Sequence, residues 1–350
     1  MYGNSRVGKP LDLGKKVVYS PKNESHRLKL MKRYNKNPLI SRSDVPCIGP
    51  HLSDVSSVFN PGAVRWNDLV ALILRVQNRG RETFLLPAFS NDGIHFKIED
   101  QPIQFHGIEK LPYRIYHIFD PRITQIGGIF YITLALDIDG GCRIGLAQTT
   151  DFKQFDFLGE LLHEDARNAV LFPVKLDGKY AMFYRPNRKS LNGGVSSGNA
   201  IELGLSDDLL NWTPQGSVLK GRFHYWDEFI GSGPPPLKTN RGWLHVYHGI
   251  ATHFASSNIY QAGVILLDLN DPKKVIARSR YNILEPREIY ELTGQVPNVV
   301  FPSGLVTAHH IQGDTLDVGT KLLLYYGAAD TCVGLATTTV GELLEACEVS

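Results

Sequence analysis

Apolar residues come in short runs along this chain: VALILRV (70–76), IFYITLAL (129–136), YAMFYR (180–185), WLHVYH (243–248) and LLLYY (322–326). Glycine, proline, asparagine or aspartate stands at or near both ends of each run. The runs are rich in branched and aromatic residues and too short for helices, so the pattern predicts many strands joined by tight turns. Helical spacing is scarce, and the one helix expected is at the tail, Val340 to Cys347.

The runs repeat. A proline-containing strand start, a turn and an alternating aromatic strand recur in FNPGAVRWNDLVALILRV, FDPRITQIGGIFYITLAL, LFPVKLDGKYAMFYRP and PPPLKTNRGWLHVYHG. A fifth copy runs from VFPSGLV to TKLLLYYG, and the aligned prolines are Pro61, Pro121, Pro173, Pro235 and Pro302. A second signature, an apolar strand followed by a polar turn, follows four copies as FSNDGIHF, TTDFKQF, SDDLLNW and LDLNDPKKV. The corresponding stretch of the last copy, LATTTVGELL, matches weakly. Each period has room for about four strands, the content of one propeller blade. The expected fold is therefore all-β, a five-bladed β-propeller over residues 36–350, preceded by a polar, basic extension over residues 1–35. That extension could serve as an oligomer arm or as a flap over a site. A pair of β-sandwiches with accidental proline spacing is the competing fold, and two signatures in one register weigh against it.

Charge and cysteine content narrow the function classes. Lys and Arg number 37 against 35 Asp and Glu, a formal charge of +2, so no general basic field exists to hold nucleic acid. Cys47, Cys142, Cys332 and Cys347 form no CxxC pair, which fits reduced thiols in a cytoplasmic protein. No apolar run approaches the length of a membrane span.

In a radial repeat, equivalent positions point toward one axis. Before the aligned prolines stand Asn60, Asp120, Phe172, Pro234 and Phe301, of which only Asp120 ionises. At the ends of the second strands stand Arg75, Ala135 or Leu136, Arg185, His248 and Tyr326, and Arg167 lies shortly before the third proline. Three arginines, a histidine and an aspartate would thus converge. Like charges gathered in a desolvated place call for an anion, and the guanidinium fork suits phosphate or carboxylate. The ordinary alternative is that each arginine pairs with a loop carboxylate. Asp120, before a proline, is either a turn-former or a general acid whose pKa burial would raise. His245 and His248 are three apart on a strand, face opposite sides, and cannot share a metal. Gly231-Ser232-Gly233 has no helix after it and is no phosphate loop, though it lets backbone approach a ligand closely. Tyr184, Trp226, Trp243 and Tyr247 could stack on sugar rings, but core packing is the commoner fate of such residues.

Taken together, FNPGAV, DPRIT, RNAVLFP with its following YRP, IGSGPPPLKT, RGWLHVYHG, LLDLNDPKKVIARS, PNVVFP and YYGAADT resemble glycoside hydrolase family 130 over residues 36 to 346. The resemblance implies a five-bladed propeller that cleaves β-mannosidic bonds with inversion. The family comprises β-mannoside phosphorylases and related mannosidases. It assigns Asp120 as the general acid, delivering its proton through a sugar hydroxyl, and Arg75, Arg167, Arg185 and His248 as the phosphate site. Asn60, Asn168, Tyr247 and Asp330 are assigned to the sugar. No cofactor or metal is implied, only inorganic phosphate as co-substrate beside a β-mannoside or manno-oligosaccharide. One departure stands out: where phosphorylases of the family usually carry a lysine, this chain reads YWDEFIGSG, with Phe229 in that place. Asp227 and Glu228 beside it make an inverting hydrolase the alternative, with Glu228 as candidate base for a water nucleophile. A propeller that only binds glycans is the third reading.

Overall fold

The computed structural model describes residues 30–190, 196–252 and 256–348, and the remainder of the expected N-terminal extension, residues 1–29, lies outside them. Five antiparallel sheets follow one another along the chain, each a meander from an inner to an outer strand. Blade 1 uses Val55–Trp66, Leu69–Asn78, Thr83–Ser90 and Lys97–Ile98. Blade 2 uses Ile115–Ile126, Ile129–Ile138, Gly141–Thr149 and Phe155–Glu160, with Phe105–His106 added in parallel at its rim. Blade 3 is built from Ala166–Leu171, Tyr180–Pro186, Ala200–Ser206 and Trp212–Lys220. In blade 4 the inner strand is split into Phe229–Ser232 and Leu237–Thr239, followed by Gly242–Ala251, Ile259–Leu267 and Val275–Arg278.

Blade 5 takes Val300–Thr307, Lys321–Ala328 and Cys332–Thr339 from the end of the chain and its outermost strand, Lys32–Arg33, from the beginning. Residues 30–35, which the sequence pattern places in the extension, thus join the propeller. Lys32 pairs with Thr337 and Arg33 with Ala336, so first and last strands fasten the ring. The Arg33 guanidinium seals it with an ion pair of 2.8 Å to Glu291, whose side chain is fully buried. This sharing explains the weak fifth signature. After its third strand blade 5 needs no turn into a fourth, and the chain enters the helix Val340–Glu348 instead.

The polar turn of the other four copies has one physical cause. An aspartate after the third strand accepts two backbone N–H groups with its Oδ1. Asp92 does so from Ile94 and His95, Asp151 from Lys153 and Gln154, Asp208 from Leu210 and Asn211, and Asp268 from Asn270 and Asp271. Between blades the alternating apolar faces meet in separate cores, such as Ile73, Leu85, Ile123 and Ile132 between blades 1 and 2. Val170, Phe172, Phe183, Trp243 and Tyr247 pack likewise between blades 3 and 4. The second and third strands of each blade are buried on both faces, whereas outer strands such as Trp212–Lys220 are largely exposed. Among the described residues no helix is long and apolar enough to cross a membrane.

Candidate active site

Inner strands of blades 1, 2 and 3 each carry a bulge at the same level. Register shifts fall between Phe59 and Gly62, between Phe119 and Arg122, and between Arg167 and Val170. The bulged residues Asn60, Asp120 and Asn168 adopt φ of 46°, 51° and 54°, a left-handed conformation that Asn and Asp tolerate better than most residues. The bulge turns these side chains out of the ladder. It also corrects the repeat alignment: the third-blade counterpart of Asn60 and Asp120 is Asn168, not Phe172, which packs in the core between blades 3 and 4. In blade 5 the register pairs Phe301 with Gly327, so the counterpart of Arg75 is Gly327, not Tyr326. Gly327 is bare because the Asn60 carboxamide lies where a Cβ would be.

Directly opposite these inner-strand positions stand the expected cations. Phe59 pairs with Arg75, Arg167 with Arg185, and Gly231 with His248. The Phe119 ring lies under two of them, with the Arg75 guanidinium 4.6 Å and the Arg167 guanidinium 5.6 Å from its centroid. Arg185 is almost fully buried and, among the described residues, bonds to the Asn187 side chain at 3.0 and 3.3 Å. Neither Arg167 nor Arg185 makes an ion pair with a described carboxylate. Burial first, and then the Arg167 charge, push the Arg185 guanidinium down to about 10. His248 is wholly buried against the Phe301 ring at 4.6 Å. Burial and the nearby Arg185 and Arg122 cations hold its pKa well below the usual histidine range, so it is a neutral imidazole able to donate one N–H. Arg167 Nε and Asn168 Oδ1 are buried without a partner among the described residues. Gly231 leaves this side of the pocket open, since a Cβ there would come within 2.7 Å of Asn168 Oδ1.

Asp120 sits between the Arg75 guanidinium and the Asn60 carboxamide. Its Oδ1 accepts a hydrogen bond from Asn60 Nδ2 at 2.9 Å and one from Arg75 Nη1 at 2.9 Å. Arg122, buried beneath it, donates to the Asp120 and Gly233 carbonyls and so ties the bulge to blade 4. The expectation that burial raises this carboxyl is overturned. Burial does push upward, but Arg75, Arg122 and the Asn60 bond outweigh it, and the net direction is downward. Asp330 behaves oppositely. It follows the second strand of blade 5 with φ of 49°, and burial, helped by the Asp120 charge, raises it to about 6. The two carboxyls therefore hold different protonation tendencies within one pocket.

Other expectations fall elsewhere. Tyr247 is fully buried on the opposite face of the strand from its neighbour His248, as the two-residue period requires. Its hydroxyl donates to Asp227 at 2.7 Å in a cluster with Arg222 and Arg278, a structural role and not a sugar contact. Asp227 is thereby spent on the fold. Glu228 accepts a hydrogen bond from Thr252 at 2.9 Å and immediately precedes the strand Phe229–Ser232. Alternation places it on the face of Ile230, which packs in the core between blades 3 and 4, and not on the face of Gly231 and His248. Phe301, which the repeat places before the fifth aligned proline, and Tyr260, which pattern reading passed over, join the pocket wall. The Tyr260 hydroxyl is raised by burial and feels Arg185, Asp330, Arg167 and Asp120, and its ring lies 6.2 Å from His248. Nothing in the sequence separates Tyr260 from core residues. No cluster of His, Cys, Asp and Glu among the described residues could hold a metal ion.

Comparison with known proteins agrees with this geometry. A family model described as beta-1,4-mannooligosaccharide phosphorylase matches residues 31–349. Beta-1,4-mannooligosaccharide phosphorylase of Ruminococcus albus is 33% identical over 320 residues, covering 89% of both chains. The 1,2-beta-oligomannan phosphorylase of Thermoanaerobacter sp. is 35% identical over 315 residues, 86% of this chain and 97% of that one. Among solved structures, the beta-1,2-mannobiose phosphorylase of Listeria innocua in complex with beta-1,2-mannobiose superimposes with a TM-score of 0.77 at 29% identity, over 91% of this chain and 99% of that one. With a family match over residues 31–349 and relatives of this similarity on a five-bladed ring, the chain belongs to glycoside hydrolase family 130.

Proposed function

We propose that this chain is an inverting β-mannoside phosphorylase, converting a β-mannoside or manno-oligosaccharide and phosphate to α-mannose 1-phosphate and a shortened acceptor. The carrying observation is the Arg167–Arg185 pair, two cations directly opposite each other in the register, Arg185 buried and Arg167 half-buried beside neutral His248, with no ion pair to a described carboxylate. Like charges so placed destabilise the fold unless an anion joins them. Phosphate held there is fixed in line, which is what a poor nucleophile requires. One phosphate oxygen bonds to C1 as the C1–O glycosidic bond breaks, and the leaving oxygen takes the proton held by Asp120, relayed through a sugar hydroxyl. Asp120 must first gain that proton. Phosphate supplies the means, because its negative charge offsets the Arg75 and Arg122 fields that keep the free carboxyl ionised. Asn60, Asn168 and Asp330 are read as contacts to the mannosyl unit.

A water nucleophile is the weaker reading, since the candidate base Glu228 is bonded to Thr252 on the other face of its strand. Phosphate as co-substrate and four unpaired cysteines support a cytoplasmic location. The test is incubation with β-1,2- and β-1,4-linked manno-oligosaccharides, with and without phosphate, following products by NMR. α-Mannose 1-phosphate that appears only with phosphate is expected. Equal release of free mannose in phosphate-free buffer overturns the proposal.

A further inference from the structure

One fully buried carboxylate, Glu291, stands outside the pocket, in the connection that leads from blade 4 into blade 5. Its Oε1 accepts hydrogen bonds from Arg33 Nε and from the Tyr326 hydroxyl, each at 2.8 Å. Its Oε2 accepts from Arg33 Nη2 at 2.8 Å and from the backbone N–H groups of Arg287 and Glu288 at 2.7 and 3.0 Å. A buried carboxylate needs such a set of donors to stay charged, and in return it fixes every group that donates to it. Arg33 is fixed a second time, by the Glu285 carbonyl at 2.6 Å.

The anchored connection grips the turn Ala329–Thr331, between the second and third strands of blade 5. Gln295 N–H donates to Thr331 Oγ1 at 2.9 Å and Val296 N–H to the Ala329 carbonyl at 3.2 Å. The Ala329 N–H donates to the Val299 carbonyl at 3.1 Å, and the Val299 N–H donates in turn to the Glu291 carbonyl at 3.1 Å. Gly294 lies so close to Ala329 and Thr331 that it has no room for a Cβ.

The turn needs this hold. Ala329 and Asp330 adopt φ of 46° and 49° in succession, a left-handed conformation that disfavours alanine. Strained backbone persists where its surroundings over-determine it, and the connection claims both backbone polar groups of Ala329. What the strained turn delivers is the Asp330 carboxyl, set where the Arg75 and Asp120 charges reach it.

We propose that Glu291 is a positioning residue: clamped by Arg33 and Tyr326, it holds the Ala329–Asp330 turn in the conformation that presents Asp330 to the mannosyl unit. The proposal rests on the reading of Asp330 as a sugar contact. It makes sugar binding depend on ring closure, because Arg33 belongs to the strand that fastens blade 5. The test is a pair of double-mutant cycles, with Glu291→Gln and Thr331→Val each made in the parent and in Asp330→Ala, and with KM for the β-mannoside and KM for phosphate measured separately. KM for the mannoside is expected to rise about tenfold in Glu291→Gln and in Asp330→Ala, and about threefold in Thr331→Val. KM for phosphate stays within about twofold in Glu291→Gln and Thr331→Val, since Arg75, Arg167, Arg185 and His248 stand on blades 1, 3 and 4, outside the clamp. Neither substitution adds to the effect of Asp330→Ala. Thr331→Val removes only side-chain bonds at a partly buried position, so it keeps the test open should Glu291→Gln misfold. A rise that repeats in full on the Asp330→Ala background, equal changes in both KM values, or no change in either variant overturns the clamp. An Asp330→Ala chain with the parent's mannoside KM overturns the sugar reading of Asp330 and the clamp with it. Free mannose released equally without phosphate overturns the phosphorylase reading alone, since the same cycles on the mannoside KM then decide the clamp from hydrolysis.

Discussion

Replacing Arg185 by methionine is expected to stabilise the folded chain while removing its use of phosphate. Arg185 is 5% exposed, and burial together with the Arg167 charge lowers its guanidinium from 12.5 to about 10. The folded-state value lies below the unfolded one for a base. The cost of keeping the charge is therefore present at every pH below about 10, and at pH 7 it amounts to roughly 3 kcal/mol. Against it stand the bonds from Nε and Nη2 to Asn187 Oδ1, worth about 1–2 kcal/mol together. Asn187 keeps its other bond, to Asp165 at 2.7 Å. Methionine fills the space without the charge, so a net gain of about 1–2 kcal/mol follows, a rise in Tm of a few degrees. Phosphate reverses the order. A hundredfold excess over Kd would stabilise the parent by about 2.7 kcal/mol. The variant lacks half of the opposed cation pair and should show little of that shift, with kcat/KM for phosphate down about 10²–10³-fold. Thermal scans at several phosphate concentrations, paired with phosphorolysis rates, read both effects. A variant less stable than the parent in phosphate-free buffer, or one with the same phosphate-induced shift, would refute the reasoning.

Asp120→Asn should lower kcat by about 10²–10⁴-fold, and by less for an aryl β-mannoside whose leaving group needs no proton; an equal loss on both substrates argues against an acid role. Asp330 has a folded pKa of about 6 against 3.8 for the free group, so its charge is a cost fully carried above pH 6 and absent below 3.8. Asp330→Asn should therefore raise Tm at pH 8 and leave it unchanged near pH 4, and a constant difference across that range contradicts the assignment. Glu228→Gln should leave turnover within about twofold, since this half-buried carboxylate is bonded to Thr252 on the face of its strand turned away from His248; loss of activity with free mannose as the normal product would restore the hydrolytic reading.

The ring was legible because its repeat is written twice, in alternating strands and in the aspartates that cap the turns at Asp92, Asp151, Asp208 and Asp268. The fourth strand of blade 5 was not, since it comes from residues 32–33 and nothing local announces a partner at Thr337. In the pocket, Arg75, Arg185 and His248 could be found by counting to the end of the second strand, a position the ladder fixes. Asn168 could be placed only by resemblance. A bulge adds a residue that periodicity does not see, and Pro173 imitated the prolines of blades 1 and 2 four residues beyond their true counterpart, Ala169. Tyr247 was assigned by residue type, and the face it occupies decides otherwise.

The protonation of Asp120 illustrates the deeper limit. Sequence supplies the carboxyl and its burial, which alone would make a ready acid. Its state is decided by Arg75, which reaches it from another blade, and by Arg122 of its own strand, which folds back beneath it. In the proposed phosphorolysis these fields hold the proton off until phosphate arrives. A carboxyl that protonates only as phosphate binds would couple the acid to the nucleophile. The same arginines would thereby make the acid conditional on the co-substrate, and water, which carries no charge into the site, would not trigger it.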